Sequence, residues 1–259
     1  MAHTSPRCMT VASSDSGGGA GVQADLKAFA AAGCFGTSVV VGLTAQNTVG
    51  IRDTLAVPPA FVTAQLEAIA GDIGVDAAKT GALLTHSTIE VVCEFFEAHP
   101  MPLVVDPVLA ASSGASLLAA GAVDTLIARL IPLAAVVTPN EREAAALAGV
   151  SGSAKELAER IVARGARAVV ITGGQGDPVC DHFFDGTQHV EIAQECVDSG
   201  ATHGSGCTHS ATLAAELAKG ASLLDAARTA ARVTAGAIAA GLDLGKGPGP
   251  VDVLHGVTR

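Results

Sequence analysis

Thr202-His-Gly-Ser-Gly-Cys-Thr208 is the stretch from which the fold can be read. Two glycines flank Ser205, a cysteine and a threonine follow, and an Ala-rich run reaches Lys219. The pattern predicts a tight turn that opens onto the first turn of a helix. Gly204 and Gly206 can take backbone angles closed to other residues, and they let a ligand approach the main chain. Free N–H groups at such a helix start attract anions, aided by the helix dipole. A thiol at Cys207 in that field is expected to favour the thiolate. An anion cradle then lies beside a candidate base. A glycine turn before a buried helix, with Cys207 as a small core residue, fits the same residues, so the choice rests on the remainder of the chain.

Moving upstream, Ala168–Thr172 reads as a strand ending at the Gly173-Gly174 turn. Val179–Phe184 and Thr187–Ile192 read as strands joined by Asp185-Gly186, a hairpin signal. Ala134–Val137 is a strand that runs into Thr138-Pro-Asn-Glu-Arg-Glu143. One carboxylate there can cap the helix that follows, through Ala148, which leaves Asn140 and a second acid for chemistry. Ser153 and Glu156 form a capping box of purely structural meaning. Leu117–Leu130 reads as a helix, and the buried strand after Pro102 delivers Asp106 at its C-terminal end. Ser87–Ala98 is an amphipathic helix, and Asp76–Thr80 a brief strand. Thr37–Leu43 is rich in β-branched residues and places Gln46 and Asn47 just past a strand end.

Near the N-terminus, Met9–Ser13 is an apolar strand, followed by the glycine-rich Ser14–Gly21 and a helix over Val22–Ala32. A dinucleotide fingerprint would need glycines at 17, 19 and 22, and Val22 breaks it. Downstream of the opening stretch, Ser222–Ala240 is the last helix. Strands alternate with helices, and every gap is short. The expectation is a single α/β domain over residues 1–259, a three-layer α/β/α sandwich with a mostly parallel central sheet. The polar clusters at 44–47, 106, 140–143, 172–174 and 202–208 then converge on one edge of that sheet, where open α/β sheets bind ligands.

Composition narrows the function. The chain of 259 residues is 49% hydrophobic but has no Trp, no Tyr and seven Phe, so its core must be built from Ala, Val, Leu and Ile. The formal charge of −10 argues against nucleic acid and anionic membranes as partners. An anionic ligand therefore needs a local cradle. The six cysteines contain no C-x-x-C pair, which argues against a zinc ribbon. Neither a secretory signal nor a membrane span is evident, and a cytoplasmic protein is expected. His203 and His209 read as surface or packing histidines.

Taken in order, these motifs resemble the ribokinase-like superfamily, and within it the hydroxymethylpyrimidine/phosphomethylpyrimidine kinases of thiamine synthesis. The resemblance rests on Ser14-Asp-Ser with Gly18-Gly-Ala-Gly-Val-Gln-Ala-Asp-Leu-Lys27, Thr44-Ala-Gln-Asn-Thr48, Val105-Asp-Pro-Val108, Thr138-Pro-Asn-Glu-Arg-Glu143 and His203-Gly-Ser-Gly-Cys-Thr208. It implies transfer of the ATP γ-phosphoryl group to 4-amino-5-hydroxymethyl-2-methylpyrimidine, then to its monophosphate. It implies Gln46, Asp25 and Gly19 at the substrate, and Asn140, Thr172, Gly174 and Thr208 at the ATP phosphates. It further implies Asp106 and Glu143 at Mg²⁺, Gly204, Ser205 and Gly206 as an anion hole, Cys207 as base, and a homodimer. Three positions depart from the family pattern: Ser13 replaces Gly, Ala82 replaces Met, and Thr172 replaces Lys before the double glycine. The roomier pocket at Ala82 is compatible with the alternative of a pyridoxal or pyridoxine kinase. A vitamer-binding module without activity is the rival from another class, and intact Asp106, Glu143 and Cys207 argue against it.

Overall fold

A computed structural model describes residues 5–111, 114, 117–173, 179–194, 197 and 199–257. Its strands are β1 (Arg7–Asp15), β2 (Phe35–Asn47), β3 (Gly50–Ala56), β4 (Ala77–Thr80), β5 (Leu103–Val105), β6 (Val136–Val137), β7 (Val169–Ile171), β8 (Val179–Phe184) and β9 (His189–Gln194). Among the described residues they form one nine-stranded sheet in the order β3-β2-β1-β4-β5-β6-β7-β8-β9. From β2 across to β7 every pairing is parallel. Antiparallel β3 closes one side and the β8–β9 hairpin the other.

The short central strands are Val-rich runs buried throughout, as expected where both sheet faces are covered. Alternation along each strand divides the core in two. Cys8, Val104, Val136 and Val170 point to one face. There they meet α1 (Gly21–Ala31), α7 (Ser205–Ala218) and α8 (Leu223–Ala239). Met9, Val11, Val105, Val137 and Val169 point to the other. That face is covered by α2 (Pro59–Asp72), α3 (His86–Ala98), α4 (Ala122–Thr125), α5 (Glu141–Ala148) and α6 (Ala154–Val162). The result is the α/β/α sandwich that the alternation predicts. Alanines at 211, 214 and 215 on α7 and at 226, 227 and 230 on α8 are fully buried, so the α7–α8 seam is built from small side chains. They let α7 lie low over β1, β4 and β5, which sets its N-terminus at the C-terminal ends of the parallel strands.

Three local expectations change. The helix expected over 117–130 begins only at Ala122, continues as a π turn over Leu126–Leu130 and tightens to a 3-10 turn at Ile131–Leu133. Gly121, at φ 80°, blocks an earlier start, and the N–H groups of Leu117 and Leu118 donate to Leu109 O instead. β2 runs on to Asn47, because the antiparallel partner β3 continues it beyond the end of β1. Gln46 and Asn47 therefore lie in a strand, with a bulge between Ala45 and Gln46, and not past one. The extended piece after Gly50 is that edge strand.

Candidate active site

A cavity of about 550 Å³ opens at the C-terminal ends of β1, β4, β5, β6 and β7. Its floor is Lys79. This amine is fully buried in β4 and donates to both oxygens of Asp25 on α1, at 2.9 and 3.0 Å. Asp25 also accepts from Thr10 Oγ1 at 2.6 Å. On its other side Lys79 Nζ stands 3.7 Å from Asp106 Oδ2. Burial alone would lower the Lys79 pKa, but Asp25, Cys207 and Asp106 together hold it above its ordinary value. Burial raises the Asp25 carboxyl, against the pull of Lys79 and Thr10. Three short hydrogen bonds on one carboxylate fit a charged pair. Asp25, expected at the substrate, thus lies beneath the cavity wall, and Lys79 is the group that reaches it.

Asp15 ends β1 and organises the glycine-rich loop. Its carboxylate accepts from the N–H groups of Gly17, Gly19 and Ala20, at 2.8, 3.1 and 2.9 Å. His203 Nε2 meets the same carboxylate at 2.9 Å. Both residues are buried and line the cavity. This pair joins the loop after β1 to the loop before α7. The approach is close enough to require glycine on both sides. A Cβ at Gly19 would stand 2.3 Å from His203 Cδ2, and one at Gly204 would stand 1.8 Å from Gly19 O. Gly204 is also the N-cap of α7, at φ 85°. Gly19 is therefore a spacing residue behind the wall and not part of the lining.

Ser205, Gly206 and Cys207 at the start of α7 do line the cavity, although the Ser205 N–H already donates to Thr202 O at 3.2 Å. Thr208 is buried behind them, its hydroxyl donating to Gly204 O at 2.9 Å. The thiol differs from expectation. Burial pushes Cys207 up to about 12, with Asp25 and Asp106 adding to the rise, while Lys79 and the Gly21 N–H oppose it. Desolvation outweighs the helix field here, so the thiol keeps its proton at neutral pH. Asp106 is nearly buried and accepts from Ser210 Oγ of α7 at 2.8 Å.

Asn140 and Glu143 form the capping box of α5. Asn140 Oδ1 accepts from Glu143 N, and Glu143 Oε2 accepts from Asn140 N, both at 3.0 Å. Burial, with the Asp106 charge nearby, raises Glu143 to about 7. The two surplus groups of the sequence reading are thus one cap, with Glu143 still facing Asp106. Gln46 and Thr172 also line the cavity, and Gln46 Oε1 accepts from Thr44 Oγ1 at 3.0 Å. Gly174 lies outside the described residues. Among the described residues no trio of His, Cys, Asp and Glu converges as a metal cage. Nor is any helix long and apolar enough to cross a membrane.

Sequence reasoning missed Lys79, Asp181 and His209 as parts of the cavity, and gave Asp15 and His203 no role in it. The Lys79 signal was present, since a lysine inside the otherwise uncharged strand 77–80 is rarely buried without a partner. His203 and His209, read as packing or surface residues, both line the cavity wall.

A mostly parallel sheet whose strand ends surround a helix N-terminus, two carboxylates and a buried lysine is the architecture of a small-molecule kinase of the ribokinase-like class. Solved structures with the same fold include two kinases. An ADP complex of Bacillus subtilis pyridoxal kinase superimposes with a TM-score of 0.90 at 34% identity, over 96% of this chain and 98% of that one. Phosphomethylpyrimidine kinase from Clostridium difficile 630 gives 0.77 at 33% identity, over 87% and 96%. The family model for phosphomethylpyrimidine kinase matches residues 15–252. A hydroxymethylpyrimidine/phosphomethylpyrimidine kinase of Rhizobium meliloti is 43% identical over 256 residues, 95% of this chain and 96% of that protein. This chain belongs to the phosphomethylpyrimidine kinase family.

Two predictions follow from the electrostatics of the floor and wall. Asp25→Asn leaves Lys79 without its main counter-charge and should cost about 3–5 kcal/mol in urea unfolding. Adding Lys79→Met should recover part of that loss; a double variant as unstable as the sum of the single variants would refute the coupling. Glu143 rises from 4.5 to about 7, so within that window the folded chain binds a proton that the unfolded chain releases. Its contribution to stability therefore falls as pH rises from 4.5 to about 7 and stays low above it. Glu143→Gln keeps the cap and should raise Tm more at pH 8 than at pH 5. An equal effect at both would contradict the shift.

Proposed function

We propose that this chain transfers the γ-phosphoryl group of ATP to 4-amino-5-hydroxymethyl-2-methylpyrimidine and then to its monophosphate. The observation that carries the reading is the meeting of the α7 N-terminus, Lys79, Asp106 and Cys207 at one cavity, with Gln46 on its wall. In this reading the Gln46 side chain hydrogen-bonds the aminopyrimidine. The N–H groups of Gly206 and Cys207 at the start of α7 hold the phosphoryl group in transfer, where charge stabilisation carries most of the catalysis. Thr172 and Asn140 lie along the donor phosphates.

Asp106 and Glu143 fit a hard divalent cation. They are close enough for Asp106 to raise Glu143, and a pair of carboxylates suits Mg²⁺, which keeps waters and phosphate oxygens as its other ligands. Bound there, Mg²⁺ would supply the positive charge that offsets these carboxylates and the triphosphate, and so lower the Cys207 thiol. Cys207 as thiolate takes the proton of the acceptor hydroxyl late in the reaction. The acceptor oxygen bonds to the γ-phosphorus as the bond to the ADP oxygen breaks. Lys79 balances the charge that gathers between Cys207 and Asp106.

Pyridoxal is the second acceptor to consider, on one observation: Ala82 presents only a methyl group to the cavity. Steady-state kinetics on both alcohols decide between them. The pyrimidine should have the higher kcat/KM, and a higher value for pyridoxal would overturn the first choice. Cys207→Ala should lower kcat by about 10²-fold or more while nucleotide binding persists. Unchanged turnover would remove Cys207 from the mechanism.

A homodimer forms part of the same proposal. Leu43 and Leu55 face each other across β2 and β3, and both are exposed, as is Phe61 of α2. Sedimentation should give twice the chain mass, and Leu55→Glu should halve it. A monomeric parent protein would refute the dimer.

A further inference from the structure

The end of β2 carries Gln46, yet the β2–β3 hairpin has no core of its own there. In β3, Arg52–Ala56 are exposed, and only Gly50 and Ile51 are half-buried. The exposed pair Leu43 and Leu55 lies four residues before the tip, about 13 Å away. A hairpin with so few apolar contacts is held loosely unless polar ties fix it. Two ties are present, one on each side of Gln46, through Ser16 and Thr48. Gln46 lines the cavity, whereas Ser16 and Thr48 stand outside its lining.

On one side, Ser16 of the glycine loop grips the backbone of Gln46 twice. Its hydroxyl donates to Gln46 O at 2.7 Å and accepts from Gln46 N at 2.9 Å. The grip falls on the bulge between Ala45 and Gln46, where the ladder with β3 shifts register. On the other side, Thr48 Oγ1 accepts from Lys246 N at 3.2 Å and from Gly247 N at 3.3 Å. Both donors belong to the strap Gly245-Lys-Gly-Pro-Gly249, a run of glycines that the proposed chemistry does not use. Close packing accounts for them. A Cβ at Gly245 or Gly247 would overlap Thr48, and one at Gly249 would overlap Leu242 O. The strap continues to the loop before α7. There Gly249 O accepts from His203 N, and His203 O accepts from Val251 N, both at 3.1 Å. Thr48 is thus linked through the strap to the residue preceding Gly204.

We propose that Ser16 and Thr48 are positioning residues that set the distance of Gln46 from the start of α7, and so fit the cavity to its acceptor. The inference rests on the acceptor reading above and names what holds that wall. Ser16→Ala and Thr48→Val should each raise KM for the pyrimidine alcohol about fivefold, with KM for ATP within twofold of the parent value. Thr48→Ser, which keeps the accepting oxygen, should restore the parent KM. Because both residues act through Gln46, neither change should matter further in a Gln46→Ala background. Parent-like KM values in both variants would overturn the proposal. So would equal rises for ATP and pyrimidine, or losses that add to that of Gln46→Ala. Amide hydrogen exchange over residues 45–51 needs no acceptor and reads the ties directly. It should quicken in both variants while β1 is unchanged, and exchange at the parent rate would also overturn the proposal. If exchange responds but the parent protein leaves the pyrimidine unphosphorylated, the ties stand and the acceptor reading falls.

Discussion

The buried ammonium of Lys79 is the constraint around which the site is arranged. A lysine with no solvent contact must be neutralised, and Asp25 and Asp106 do so from two sides. Asp25 comes from α1 and Asp106 follows β5, while Ser210 of α7 donates to the same Asp106 Oδ2 that Lys79 approaches. One amine therefore ties both helices and two strands to a common centre. Removing its charge would loosen the position of α7, and with it the orientation of the N–H groups at Ser205–Cys207.

A second tie lies above the first. The Asp15 carboxylate gathers three N–H groups of the glycine loop and meets His203 from the opposite loop. Gly19 and Gly204 permit an approach that no side chain would allow. The loop after β1 and the loop before α7 are thus held together beside the cavity. The chemistry of the site is held in reserve, since burial keeps Cys207 protonated and Glu143 easily protonated.

Much of this was legible in the residues. The Val-rich runs after Pro102, Ala135 and Ala168 required strands covered on both faces, and that implied the sandwich. Gly204 and Gly206 announced the helix entry. The edges were less legible: β3 carries exposed side chains without a core face, and Gly121 ended an apparently continuous helical pattern. Within the site, Asn140 and Glu143 read as surplus acids and amides because a capping box and a binding group share one pattern. Asp25 could not be placed behind Lys79, since pairing between residues 54 positions apart leaves no local trace. The same holds for Asp181 and His209, which meet only when β8 packs beside α7. The thiol was misjudged because the helix field is local, whereas desolvation depends on the whole fold.

The central claim is that α7's N-terminus, Lys79, Asp106 and Cys207 surround a single phosphoryl position. A crystal structure with Mg²⁺, a non-hydrolysable ATP analogue and the pyrimidine alcohol tests it most directly. The terminal phosphoryl group should rest on the N–H groups of Gly206 and Cys207, with the acceptor hydroxyl between it and Cys207. A terminal phosphate bound away from α7, or an acceptor whose hydroxyl points away from Cys207, would contradict the account.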